Sequence, residues 1–194
     1  MVISRFALAL AACGVLVLSA CSSTDSASSE STSSAAGSDS TTSATACPTA
    51  AGSAAPEWTY DGSTGKVAVT GSTDEAAPKV DVTTPFATDK TEVHVLREGT
   101  GPVVSPTATV SVCYVGVNGR NGSVFDSSYD RGAPEQFSLD GVVPGFQKAI
   151  AGQKVGSTVA VAMVPADGYP EGESSAGIEK GDTLVFALKI LSAS

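Results

Sequence analysis

Residues 91–194 of this chain predict an α+β domain, a strongly curved antiparallel sheet wrapped on one short helix. Three observations carry the prediction. Val- and Thr-rich runs with period-two alternation recur to the C-terminus, Gly- and Asn-containing turns separate them, and only one segment has helical spacing. Many strands and one helix can bury a shared apolar face only if the sheet bends round the helix.

Taken in order, Glu92 to Val95 alternate, with Val93 and Val95 expected on one side and Glu92 and His94 on the other. Glu98-Gly-Thr-Gly101 turns the chain, and Thr107 to Val115 forms the second run, rich in Val and Thr. Asn118-Gly119 and Asn121-Gly122 mark a hairpin tip, because Asn-Gly supplies the positive φ of a tight turn. Asn121-Gly-Ser123 also fits a glycosylation acceptor, but the turn reading is preferred. Pro144 suits a first helical position, Phe146 and Ile150 lie four apart, and Gly152 can end the helix. Thr158–Val164 and Thr183–Leu191 close the sheet, with Leu184, Phe186, Leu188 and Ile190 on one face.

Upstream, Trp58, Tyr60, the alternating Lys66-Val-Ala-Val-Thr70 and Val80-Asp-Val82 predict one or two short strands within residues 57–90. Two readings stay open for this N-terminal extension: a hairpin packed on the domain with Trp58 as anchor, or a partly ordered extension. Residues 21–56 are dense in Ser, Thr and Ala, and after Cys21 they carry no Lys or Arg. Such a stretch cannot bury enough apolar area to offset its chain entropy, so it is expected to be a disordered linker with a coil dimension of roughly 30 Å. A glycosylated stalk and a plain spacer remain alternatives.

The apolar run Phe6 to Leu18 follows Arg5 and is too short to span a bilayer, so residues 1–20 are expected to be a cleaved secretory signal. It ends in Leu18-Ser-Ala-Cys21, which resembles the bacterial lipobox, and this resemblance implies lipidation of Cys21 with fatty-acyl chains of the palmitate type. Two or more chains suffice for stable membrane anchoring on the outer face of the cytoplasmic membrane.

Removing residues 1–20 takes away Arg5 and no acid, leaving ten basic and twenty acidic groups among 174 residues, a net charge of −10. That excludes nucleic acid as an expected partner, since phosphate binding needs clustered cations. The single histidine, His94, and the absence of a Gly-x-Ser-x-Gly turn argue against a hydrolase triad. The four cysteines lack paired spacing, so neither a metal nor a cofactor is expected.

Tyr114-Val-Gly, Val124-Phe-Asp-Ser-Ser-Tyr-Asp-Arg131, Val142-Val-Pro-Gly-Phe146, Gly168-Tyr169 and Thr183-Leu-Val-Phe186 together resemble the FKBP family of peptidyl-prolyl cis-trans isomerases. The likeness runs from about Thr91 to Leu191. It implies an FKBP-like half-barrel and a pocket for proline-containing polypeptides. Within that pocket Asp126, Tyr114 and Tyr169 are expected to be catalytic, and Phe125, Arg131, Val142, Val143, Phe146, Ile178 and Phe186 to bind substrate. Phe137 and Val161 are expected in the core. The resemblance further implies a monomer, macrolide ligands, and hydrogen bonds to the substrate from the Tyr169 hydroxyl and the Ile178 amide.

Asp126 is expected to act electrostatically beside the twisting carbonyl, oriented by Tyr114 and Arg131; its alternative is a structural tie for the Arg131 loop. Three positions depart from the family pattern: Phe146 replaces Trp, Glu135 replaces an aromatic, and Pro170 follows the tyrosine where Gly is usual. The small residues of Ala166–Asp182 suit a mobile flap. With Cys13 in the signal and Cys21 lipidated, Cys47 and Cys113 remain to pair in an oxidising exterior. The pairing would tie the end of the linker to the outer side of the strand bearing Tyr114. The expected activity is isomerisation that speeds folding of secreted or envelope proteins. A non-catalytic chaperone gripping proline segments, or an envelope interaction module, is the alternative.

Overall fold

The computed structural model describes residues 46–194. The signal segment, Cys21 and the linker up to residue 45 lie outside the described residues.

Two antiparallel sheets stack face to face. The first holds β1 (Trp58–Asp61), β2 (Thr64–Thr70) and β3 (Lys79–Ala87) in that order. The second runs β4 (Glu92–Arg97), β8 (Thr158–Met163), β9 (Leu184–Ala193), β5 (Thr109–Asn118) and β6 (Val124–Ser127), and β7 (Glu135–Ser138) also pairs with β5. Helix α2 (Pro144–Ile150) lies on the concave side, with Pro144 in its first turn and Gly152 at φ 81° just beyond its end. A Cβ at Gly145 would stand 2.7 Å from the Met163 sulfur, so glycine is what lets α2 sit this close to β8.

The concave core contains Val110, Val112, Val159, Val161, Leu184, Leu188, Ile190, Ala149 and Ile150. The convex face is covered as well. Ala160, Ala162, Val185 and Ala187 pack against Trp58, Val67, Val69 and Phe86 of the three-stranded sheet. All six residues of β8 are buried. The upstream region is therefore an integral second layer with three strands, one of them nine residues long, rather than a loose extension or a single hairpin. Trp58 stacks between Tyr60 and His94, with ring centroids 5.5 Å away on each side. His94, expected on a polar face, thus joins the two sheets, and Leu96 of the same strand also turns to this layer. Val95 keeps to the side of Val93, opposite Val159, but is exposed on this edge strand.

Order extends further back than residue 57. Cys47 and Cys113 form a buried disulfide, the Cys47 amide donates to the Gly132 carbonyl at 3.2 Å, and Ala77 donates to the Ala50 carbonyl at 2.8 Å. Residues 47–56, expected in the linker, are a strap along the domain. The disulfide closes a separation of 66 residues, a loop-closure effect of about 4 kcal/mol in the chain-entropy treatment.

Two local expectations are corrected. A second helical turn, α1 (Ser128–Arg131), accompanies α2, capped by Ser127, whose side chain accepts from the Asp130 amide, and by left-handed Gly132. In the β5–β6 connection Gly122 has φ 73°, but Gly119 does not enter the left-handed region. Asn118 closes β5 and is buried, donating to Asp182 at 2.6 Å. A Cβ at Gly119 would meet the Phe86 carbonyl oxygen at 2.6 Å, so this glycine admits the neighbouring sheet.

Trp58 carries the interface between the sheets, so Trp58→Ala is expected to cost about 3–5 kcal/mol, the range for truncating a buried aromatic. Urea unfolding followed by circular dichroism measures it.

Candidate active site

The edge of the large sheet is divided. β7 pairs with the first half of β5 and β6 with its second half, leaving Cys113 and Tyr114 without an edge partner. Ser128, at the start of α1, fills the gap: its Oγ accepts from the Tyr114 amide at 2.8 Å and donates to the Tyr114 carbonyl at 3.3 Å. Alternation then sends Tyr114 inward and Cys113 outward.

Inside the half-barrel a cavity of about 340 Å³ is lined by Tyr114, Phe125, Asp126, Phe137, Gly141, Val142, Val143, Phe146, Tyr169 and Phe186. Its rings meet edge to face. Phe146 lies 5.4 Å from Phe186 and 5.6 Å from Phe137, and Phe125 lies 5.4 Å from Phe186. Phe137, expected in the core, is a cavity wall, whereas Val161 is fully buried.

One corner is charged. Arg131 Nη1 donates to Asp126 Oδ1 at 2.6 Å, and the Tyr114 hydroxyl donates to Asp126 Oδ2. The one-turn helix α1 makes this possible by folding the chain back over the five residues from Asp126 to Arg131. Burial pushes the Asp126 carboxyl up, but the bonds from Tyr114 and Arg131 outweigh it and hold the group below the usual carboxylate range. Burial, helped by the bond to Asp126, pushes the Tyr114 phenol up to about 12. Arg131 is raised by its bond to Asp126, so the corner is a carboxylate, a neutral phenol and a guanidinium throughout the ordinary pH range.

A profile described as FKBP-type peptidyl-prolyl cis-trans isomerase matches residues 101–191. A probable FK506-binding protein of Corynebacterium glutamicum is 43% identical over 96 residues, covering 49% of this chain and 80% of that protein. The chain belongs to the FKBP-type peptidyl-prolyl cis-trans isomerases. An FK506-binding protein of Streptomyces anulatus is 39% identical over 99 residues, 48% of this chain and 78% of that one. The N-terminal domain of FKBP42 from Arabidopsis thaliana superposes with a TM-score of 0.51 over 55% of this chain and 87% of that domain; at 18% identity it shows the fold alone. The FKBP match begins after β4, so the three-stranded sheet lies outside it.

Two residues expected to bind substrate are not among the cavity walls. Ile178 is buried in the core beside the cavity, and its amide donates to the Glu173 carbonyl at 3.0 Å. Three cavity-lining amides have no acceptor among the described residues, those of Val142, Val143 and Tyr169, and Val143 stands at the start of α2. Arg131 does not line the cavity; it acts behind Asp126. Tyr169 lines the wall, with its phenol raised by burial and by the nearby Glu173 and Asp126 charges. The Ala166–Asp182 segment is braced rather than free. Asp167 accepts from Thr91 and from Lys148, Asp182 accepts from Asn118 and Arg120, and Glu173 and Ile178 bridge its middle.

The Tyr114 phenol is held above its unfolded value of about 10, so its contribution to stability is complete below that pH and is lost as pH rises through about 12. Tyr129, raised to about 12 by burial, acts in the same window. Urea midpoints are expected to fall between pH 10 and 12, and to fall less in Tyr114→Phe.

Proposed function

We propose that this isomerase works outside the cytoplasmic membrane as a lipid-anchored monomer, accelerating the folding of secreted or envelope proteins. The observation that carries the chemistry is an apolar aromatic cavity with one ionised corner. Cis/trans exchange about a prolyl bond faces a barrier of about 18–20 kcal/mol because amide resonance is lost in the twisted state. Stripping water from the prolyl carbonyl weakens the charge-separated planar form, and the enzyme gains only by favouring the twisted amide over both planar ones. Phe146 forms the floor, with Phe125, Phe186, Val142 and Val143 as walls. Asp126, ionised and fixed by Tyr114 and Arg131, acts on the twisting carbonyl, while Tyr169 and the Val143 amide hold the flanking peptide. Macrolides would occupy the same cavity.

The location is supported by the buried Cys47–Cys113 disulfide, which suits an oxidising compartment. It is supported equally by the apolar run ending at Cys21.

Exchange spectroscopy by NMR on short Xaa-Pro peptides tests the activity. Wild type is expected to accelerate exchange and Asp126→Ala to lower the rate about tenfold, the equivalent of one charge-assisted hydrogen bond. Binding without acceleration would replace catalysis with a proline-gripping chaperone. For the anchor, cells grown with radiolabelled palmitate are expected to label wild type but not Cys21→Ser, and an unlabelled wild type would refute lipidation.

A further inference from the structure

Glu135 lies on β7, outside the set of cavity walls, and its carboxylate stands 3.1 Å from Arg131 Nη2. The same Nη2 lies 3.3 Å from the Tyr114 hydroxyl oxygen, while Nη1 donates to Asp126 Oδ1. The guanidinium carbon is 6.0 Å from the Tyr114 ring centre. Arg131 is therefore held between two carboxylates, touching Asp126 through one nitrogen only. That arrangement is not the one an isolated arginine and carboxylate adopt, since their planar forks favour two parallel hydrogen bonds. A two-pronged contact would bring Nη2 to Asp126 Oδ2, the oxygen that accepts from Tyr114.

We propose that Glu135 is a positioning residue for the isomerase: by holding Arg131 Nη2 it keeps the guanidinium off Asp126 Oδ2 and so reserves that oxygen for Tyr114. Glu135 touches neither the cavity nor the Asp126 carboxylate, and its effect passes through the orientation of Arg131. Its side chain is 43% exposed, close to the 44% of Arg131. The consequence for catalysis rests on the isomerase reading above, whereas the orientation itself does not.

The test is a double-mutant cycle in the full-length chain, purified in detergent and assayed by prolyl exchange. Glu135→Ala is expected to lower kcat about three- to tenfold with KM little changed. In a Tyr114→Phe background, which has no hydroxyl to protect, the same substitution is expected to change kcat less than about twofold. Glu135→Gln, which keeps an acceptor oxygen for Nη2 without the charge, is expected to retain wild-type kcat within about twofold. Equal losses in both backgrounds, or a Gln variant as slow as the Ala variant, would overturn the proposal in favour of simple rim charge. A crystal structure of Glu135→Ala reads the geometry independently of activity: a guanidinium turned onto both oxygens of Asp126 supports the proposal, and an unmoved one refutes it. Should wild type show no exchange activity, the isomerase reading fails while this structural arm still decides the role of Glu135.

Discussion

The central constraint is that the middle strands of the large sheet are apolar on both faces. Val159, Val161 and Met163 of β8 point to the helix, while Ala160 and Ala162 point away; β9 repeats the pattern with Leu184, Phe186 and Leu188 against Val185 and Ala187. One short helix can cover only part of the concave side, and within the FKBP segment Tyr129 of α1 covers only the Cys113 and Leu191 end of the convex side. The three-stranded sheet meets the second need. Small outward residues let it approach closely, with Trp58 and Phe86 supplying the bulk between layers.

On the concave side the shortage of cover is what makes the site. Helix α2 buries Ala149 and Ile150 and presents Phe146 to the space it leaves open, where aromatic rings stand edge to face around a void instead of closing it. The polar corner follows from the interrupted sheet edge. Because β6 and β7 do not meet, the one-turn helix between them can supply Ser128 to the Tyr114 backbone and Arg131 to Asp126 from a four-residue segment. Packing and charge placement thus share one cause, the break opposite Tyr114.

Much of this was legible in the sequence. Period-two alternation located β5, β8 and β9 to within a few residues, and Pro144 with Gly152 bracketed α2. The pocket aromatics, Asp126 and Tyr114 were reached through family likeness and alternation together. The misses have physical reasons. Ala160 and Ala162 in β8, and Val185 and Ala187 in β9, complete continuous apolar runs, the mark of strands buried on both sides, which a pattern read for one face alone does not register. Helix α1 is too short to show a period and is signalled only by Ser127 before it and Gly132 after it. Phe137 looked like core because a strand pattern cannot distinguish a packed wall from the wall of a void. The Ile178 amide is already used by a local bridge to Glu173, which no one-dimensional spacing reveals.

The disulfide determines how the domain would bear a load. A pull on the chain ahead of Cys47 passes through the covalent link straight into β5, which is hydrogen-bonded to β9 along nearly its whole length. Everything between Cys47 and Cys113, including the three-stranded sheet and β4, lies on a slack branch of that circuit. Tension would therefore be taken in shear by the most extensively paired strand, while the layer that covers the convex face is spared from being peeled away.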